Sequence, residues 1–154
     1  MCRSLLRGLW DSISYRIDGS RKGAKAQRKM NENDIAKVIV DAAYKIHVSL
    51  GPGLLESVYE AVLAYELEKR GLKVTRQQAI PVVYEDVHLE VGFRADLIVE
   101  DKVIIELKSV EGVHPIHKKQ LLTYLSLANK RLGLLINFGA FLIKDGISRV
   151  VNKL

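Results

Sequence analysis

The chain alternates between two kinds of hydrophobic rhythm. From Met30, apolar residues at Ile35, Val38, Ile39, Ala42, Ala43 and Ile46 recur with the 3.6-residue period of a helix, behind Asn31, Asn33 and Asp34 as candidate caps. Gly51-Pro52-Gly53 stops that helix. A second is predicted from about Leu54 to Arg70, closed by Gly71 after the basic pair Lys69-Arg70. The rhythm then becomes strand-like through KVTRQQAIPVVY, HLEVGFRADLIVE and KVIIELKSV. Pro115 opens a third helix, predicted over about 115–130. RLGLLINF reads as a fourth strand, and ISRVV as a fifth after a turn at Lys144-Asp145-Gly146. The order ααβββαββ predicts an α/β or α+β protein with a mixed sheet flanked by helices.

The first 30 residues stand apart. Leu5, Leu6, Leu9, Trp10, Ile13 and Ile17 have helical spacing, but serines and basic residues dominate the segment. Three readings fit it: a poorly ordered extension upstream of a true start at Met30, a basic amphipathic arm for membrane or nucleic acid, or an organelle targeting peptide. The expected division is a basic N-terminal extension over 1–30 and one domain over 31–154.

Charge sharpens that division. The formal net charge is +6, and residues 1–29 hold eight basic and two acidic side chains, so they carry all of it. The remaining 16 basic and 16 acidic groups cancel. A basic protein suggests a nucleic-acid partner, but here the suggestion belongs to the N-terminal segment. Cys2 is the single cysteine, which excludes an intrachain disulfide framework and a cysteine-based zinc or iron–sulfur site. No apolar run approaches the ~20 residues of a membrane span, and no secretory h-region is present, so a cytoplasmic setting is expected.

Chemistry concentrates in FRADLIVEDKVIIELKS. If the hairpin turn centres on Asp101, opposed residues have numbers summing to 202, and Asp96 lies across from Glu106. The two-residue period then adds Lys108 to the same face. Two adjacent carboxylates repel, and a hard divalent cation between them would relieve the repulsion. From these three residues alone, an ordinary solvated strand face, with Asp96 paired to Arg94 or Lys108, is the favoured reading. Two further pairs accompany them: Glu56 and Tyr59 after the glycines, and Gln120 and Tyr124 at i, i+4 on the third helix. Each has a plain alternative, Glu56 as a first-turn carboxylate answering the helix dipole and the tyrosines as amphipathic core edges. His114 and His117 could in principle bind metal, but they lack further ligands. His47 reads as a helix-terminal or site-edge residue, and His88 as an exposed strand position.

Taken together, Gly53-Leu54-Leu55-Glu56-Ser57-Val58-Tyr59, RADLIVEDKVIIELKSV, QLLTYL and LGLLINFG resemble the GxxExxY family of the PD-(D/E)XK nuclease superfamily. The resemblance spans about residues 31–151. It implies a restriction-endonuclease-like core and cleavage of phosphodiesters with a divalent cation, Mg²⁺ or Mn²⁺. It gives the chemistry and not the biological role, for which DNA rather than RNA as the partner and DNA repair or processing as the setting are the expectations. By the same resemblance, Asp96 and Glu106 would be metal ligands, Lys108 the catalytic lysine and Glu56 an accessory carboxylate that completes the metal site. Gln120 and Tyr124 resemble the QxxxY element of recombination-repair helicase-nucleases, which supports the site and the strand. Ala95 stands where the superfamily name has proline, a position that varies. A homodimer is compatible with this reading.

Overall fold

The computed structural model describes residues 29–154, so the helical spacing of Leu5 to Ile17 and the N-terminal extension fall outside the described residues. Helix α1 (Glu32–Leu50) starts where Asn31 Oδ1 accepts the Asp34 N–H at 2.9 Å, and it buries Ile35, Ile39, Ala42, Ala43 and Ile46. It stops at Gly51, whose φ of 68° is a conformation that glycine adopts without steric cost. Helix α2 (Glu56–Lys69) begins two residues later than its sequence pattern suggests, because Gly53 at φ 103° and extended Leu55 keep the chain non-helical. It ends in a glycine cap, with Leu72 N–H returning to Leu67 O at 3.1 Å and Gly71 at φ 85°.

Five strands form one sheet in sequence order: β1 (Val74–Tyr84), β2 (Val87–Val99), β3 (Val103–Lys108), β4 (Leu132–Asn137) and β5 (Ile147–Val151). All neighbours are antiparallel except β3 and β4, which run parallel and are connected through α3 (Pro115–Leu127). A parallel pair needs such a crossover, and the helix covers one face of the sheet. α3 is three residues shorter than predicted: Asn129 at φ 51° reverses the chain, and Lys130 N–H reaches back to Leu125 O at 2.8 Å. The predicted turn at Lys144-Asp145-Gly146 is instead the body of a one-turn helix, α4 (Ile143–Gly146), so the order is ααβββαβαβ.

Two apolar layers sandwich the sheet. On one side α1 and α2 pack on Leu97, Val99, Val103, Ile105, Leu107, Leu134 and Ile136. On the other, Leu121 and Leu125 of α3 meet Ile80, Ala95, Ile98, Ile104 and Leu135. Covered on both faces, β4 is buried along its whole length, as befits a continuous apolar run. Glu66 of α2 accepts Lys45 of α1 at 2.8 Å and Arg70 at 3.1 Å, and Lys45 is the main cause of its carboxyl falling below the usual range.

Candidate active site

The β2–β3 turn contains Glu100, Asp101 and Lys102, with Glu100 and Asp101 both at φ 53°. Its odd length sets the register Val99↔Val103, Ile98↔Ile104 and Leu97↔Ile105, the pairing expected from a turn centred on Asp101. Val103, Ile105 and Leu107 face α1 and α2, so alternation puts Glu106 and Lys108 with Ile104 on the α3 side.

Regular alternation fails one residue beyond that register. Phe93 and Ala95 belong to the α3 side, yet Leu97 and Val99 belong to the other. β1 changes sense at the matching place, since Val74 and Ile80 lie on opposite sides although both numbers are even. The switch falls at Asp96 and at Gln77, which has φ 48° and interrupts the pairing between Arg76↔Leu97 and Gln78↔Ala95. Here Asp96 leaves the ladder and turns its carboxylate to β3: Oδ2 accepts the Leu107 N–H at 2.8 Å, where a neighbouring strand would ordinarily offer a carbonyl. Oδ1 accepts Gln77 Nε2 at 3.2 Å.

Glu106 is the electrostatic centre. Its Oε2 is buried and has no hydrogen-bond partner, an arrangement that costs free energy unless something is bound there. Burial and then the Asp96 charge push its pKa from 4.5 up to about 7; Glu56 adds to the rise, while Lys108 opposes it. Lys108 Nζ stands 3.9 Å from Glu106 Oε1, beyond hydrogen-bond range. The Asp96 carboxyl is also raised, first by burial, against the bonds from Leu107 and Gln77. Tyr124 completes this side: burial raises its hydroxyl pKa, with further pressure from Glu106 and Asp96, and its ring stacks on Phe93 at 3.7 Å between centroids. Gln120, one turn earlier on α3, is exposed, and no side-chain hydrogen bond joins it to the other described residues.

The glycine loop brings Glu56 into reach. Tyr59 is fully buried and stacks on Phe138 at 4.3 Å; its hydroxyl donates to Gly51 O at 2.5 Å and accepts Leu54 N–H at 3.2 Å. Tyr59 therefore faces the core as a clamp on the loop, while exposed Glu56 opens α2 and adds its charge to the field at Glu106. Ser109, just past β3, donates to Leu54 O at 2.6 Å and fixes the loop to the end of the strand. A cleft of about 490 Å³ lies there, lined by Gly53, Leu54, Leu55, Glu56, Ser57 and Ser109.

Three residues outside the sequence reading support the site. Asn137 is buried at the end of β4; Oδ1 accepts Val110 N–H and Gly139 N–H, each at 3.0 Å, and Nδ2 donates to Val110 O at 2.8 Å. It sets the path of the chain leaving β3. Glu60 and Gln77 form a second connection, to Asp96. A non-alternating polar residue in a strand was the available signal for Gln77; nothing in the pattern marked Glu60. Of the histidines, His47 is buried and contacts Ala140 O through Nε2 at 2.8 Å, and His114 caps α3 by accepting Ile116 N–H at 3.2 Å.

Among the described residues no three histidine, cysteine or acidic side chains gather closely enough to hold a metal by themselves. Asp96 and Glu106 nevertheless have the chemistry for a hard divalent cation: two mutually repelling carboxylates, one with an unpartnered buried oxygen. Mg²⁺ commonly binds through one or two carboxylates, filling its remaining positions with water and substrate phosphate.

The fold is a mixed five-stranded sheet with flanking helices, and it carries two such carboxylates and a lysine on adjoining strands. The chain belongs to the PD-(D/E)XK nuclease superfamily, whose family model matches residues 33–150. No curated protein and no solved structure matches the chain. Among the described residues no helix is long and apolar enough to cross a membrane.

Proposed function

We propose that this protein is a metal-dependent nuclease that hydrolyses phosphodiester bonds of DNA with Mg²⁺ or Mn²⁺, in DNA repair or processing. The observation that carries the reading is the unpartnered Glu106 Oε2, beside Asp96 and within 3.9 Å reach of Lys108 through its other oxygen. Asp96 and Glu106 would hold the ion, and the Glu56 carboxylate, which does not gather with them into a three-ligand group, adds its negative charge to the field there. When bound, the ion supplies positive charge against the scissile phosphate and acidifies water. Lys108 places its ammonium where negative charge develops on the phosphate and orients the attacking water. Tyr124 and Gln120 support the site and the nucleic-acid strand from α3. The Gly53…Glu56…Tyr59 pattern supports membership of the GxxExxY group within the superfamily.

The test is metal-dependent cleavage of single-stranded DNA, double-stranded DNA and RNA by wild type and Glu106→Ala. Loss of cleavage in the variant supports the site. Equal activity in both proteins defeats the assignment, and cleavage of RNA alone would redirect the substrate.

A second reading has one observation in its favour. Residues 30–154 carry equal numbers of acidic and basic groups, whereas an autonomous DNA-cleaving enzyme gains from a basic surface that offsets phosphate repulsion. On that reading the domain binds nucleic acid weakly or acts with a partner, and purified protein shows no cleavage until the partner is added.

A further inference from the structure

Glu60 lies one turn after Glu56 on α2 and is buried, an expensive position for a carboxylate without partners. Its Oε1 accepts Arg76 Nε at 3.0 Å and its Oε2 accepts Gln77 Nε2 at 2.7 Å. The same Gln77 nitrogen donates its second proton to Asp96 Oδ1 at 3.2 Å. One amide therefore connects two carboxylates, and only its nitrogen can face them both. Asp96 is held at both oxygens, by Gln77 at one and by the Leu107 N–H at the other.

The backbone makes the choice of residue informative. At φ 48° a non-glycine residue is strained by about 1 kcal/mol, and glycine or asparagine would suit the position better. Glycine has no amide, and asparagine is a methylene shorter. A lysine or arginine would reach, but its charge would neutralise Asp96. A neutral donor fixes the carboxylate and leaves its charge free for a cation.

We propose that Glu60, acting through Gln77, is a positioning residue for the Asp96 carboxylate, and that Gln77 is retained at a strained backbone position for its neutral side-chain donor. The inference rests on the reading that Asp96 holds a divalent cation. Residues that orient metal-binding groups typically change affinity ten- to a hundredfold when replaced.

The experiment measures Mn²⁺ affinity of the full chain without nucleic acid, by water-proton relaxation, alongside the metal-free melting midpoint. Gln77→Gly removes the amide and relaxes the backbone but leaves Glu60 Oε2 without its donor, so the effects on its midpoint oppose one another, while its Mn²⁺ affinity is expected to fall about ten- to a hundredfold. Gln77→Met and Glu60→Gln are expected to lose affinity in the same range. A purely structural role gives the opposite pattern, lower midpoints with affinity within twofold of wild type, and that result overturns the inference. Wild-type protein that binds no Mn²⁺ overturns the metal reading itself, and this inference with it.

Discussion

Glu106 Oε1 and Lys108 Nζ leave the same face of β3 and stand 3.9 Å apart, close enough to attract and too far to hydrogen-bond. Lys108 consequently offsets only part of what burial and Asp96 do to Glu106, whose pKa still rises to about 7.

That value sets a pH dependence. The unfolded chain releases the Glu106 proton near 4.5 and the folded chain near 7, so between these values the folded state binds more protons. Metal-free stability should fall as pH rises through this window, with the full penalty present above 7. The shift corresponds to at most about 3 kcal/mol. Glu106→Gln should therefore gain on wild type by up to that amount between pH 4.5 and pH 8, measured by urea unfolding without divalent cations. A constant difference between the two proteins across that range would refute the assignment of the charge penalty to Glu106.

Tyr59→Phe should lower stability by about 1–2 kcal/mol, because it removes the hydroxyl that bonds both Gly51 O and Leu54 N–H from a buried position. Cleavage measured well below the melting midpoint should fall as well, since this loop sets the start of α2 and the position of Glu56. Activity that tracks only the folded fraction would make Tyr59 a stability residue and nothing more.

Asn137→Ala should cost about 2–4 kcal/mol, because three hydrogen bonds are lost and the Val110 and Gly139 groups are left without partners. Gly139→Ala strikes the same junction, since an added Cβ would collide with the Val110 backbone, and it should be at least as damaging. Thermal melting of both variants checks the pair; a midpoint near wild type in either would show that the junction tolerates change.

Electrostatics predict a division of labour along the chain. Residues 1–29 carry the whole net charge, so the salt dependence of DNA affinity should be steep for residues 1–154 and shallow for 30–154. Fluorescence anisotropy at several salt concentrations reads the slopes. Equal slopes would place the phosphate contacts on the domain itself.

Much of the architecture was legible because it follows from periodicity. The stripe from Ile35 to Ile46 is the buried face of α1, and the odd turn about Asp101 sets a register that simple arithmetic anticipates. What escaped depends on departures from periodicity. Asp96 was expected merely to oppose Glu106 across a regular ladder; instead it leaves the ladder where Gln77 reverses the alternation. Tyr59 and Glu56 share a motif, yet one is buried in the core and the other is exposed. Glu60 gave no signal, because an acidic residue on a helix usually faces water, and only its meeting with Arg76 and Gln77 explains its burial.

The bond from Leu107 to Asp96 has a practical consequence. Leu107 is almost fully buried in a central strand, but its amide proton rests on a side chain rather than on another strand. Its NMR resonance and its hydrogen-exchange rate will therefore respond to whatever happens to that carboxylate, such as protonation, rotation or ligation. A single backbone signal, recorded without altering any site residue, becomes a spectroscopic gauge of the site's state.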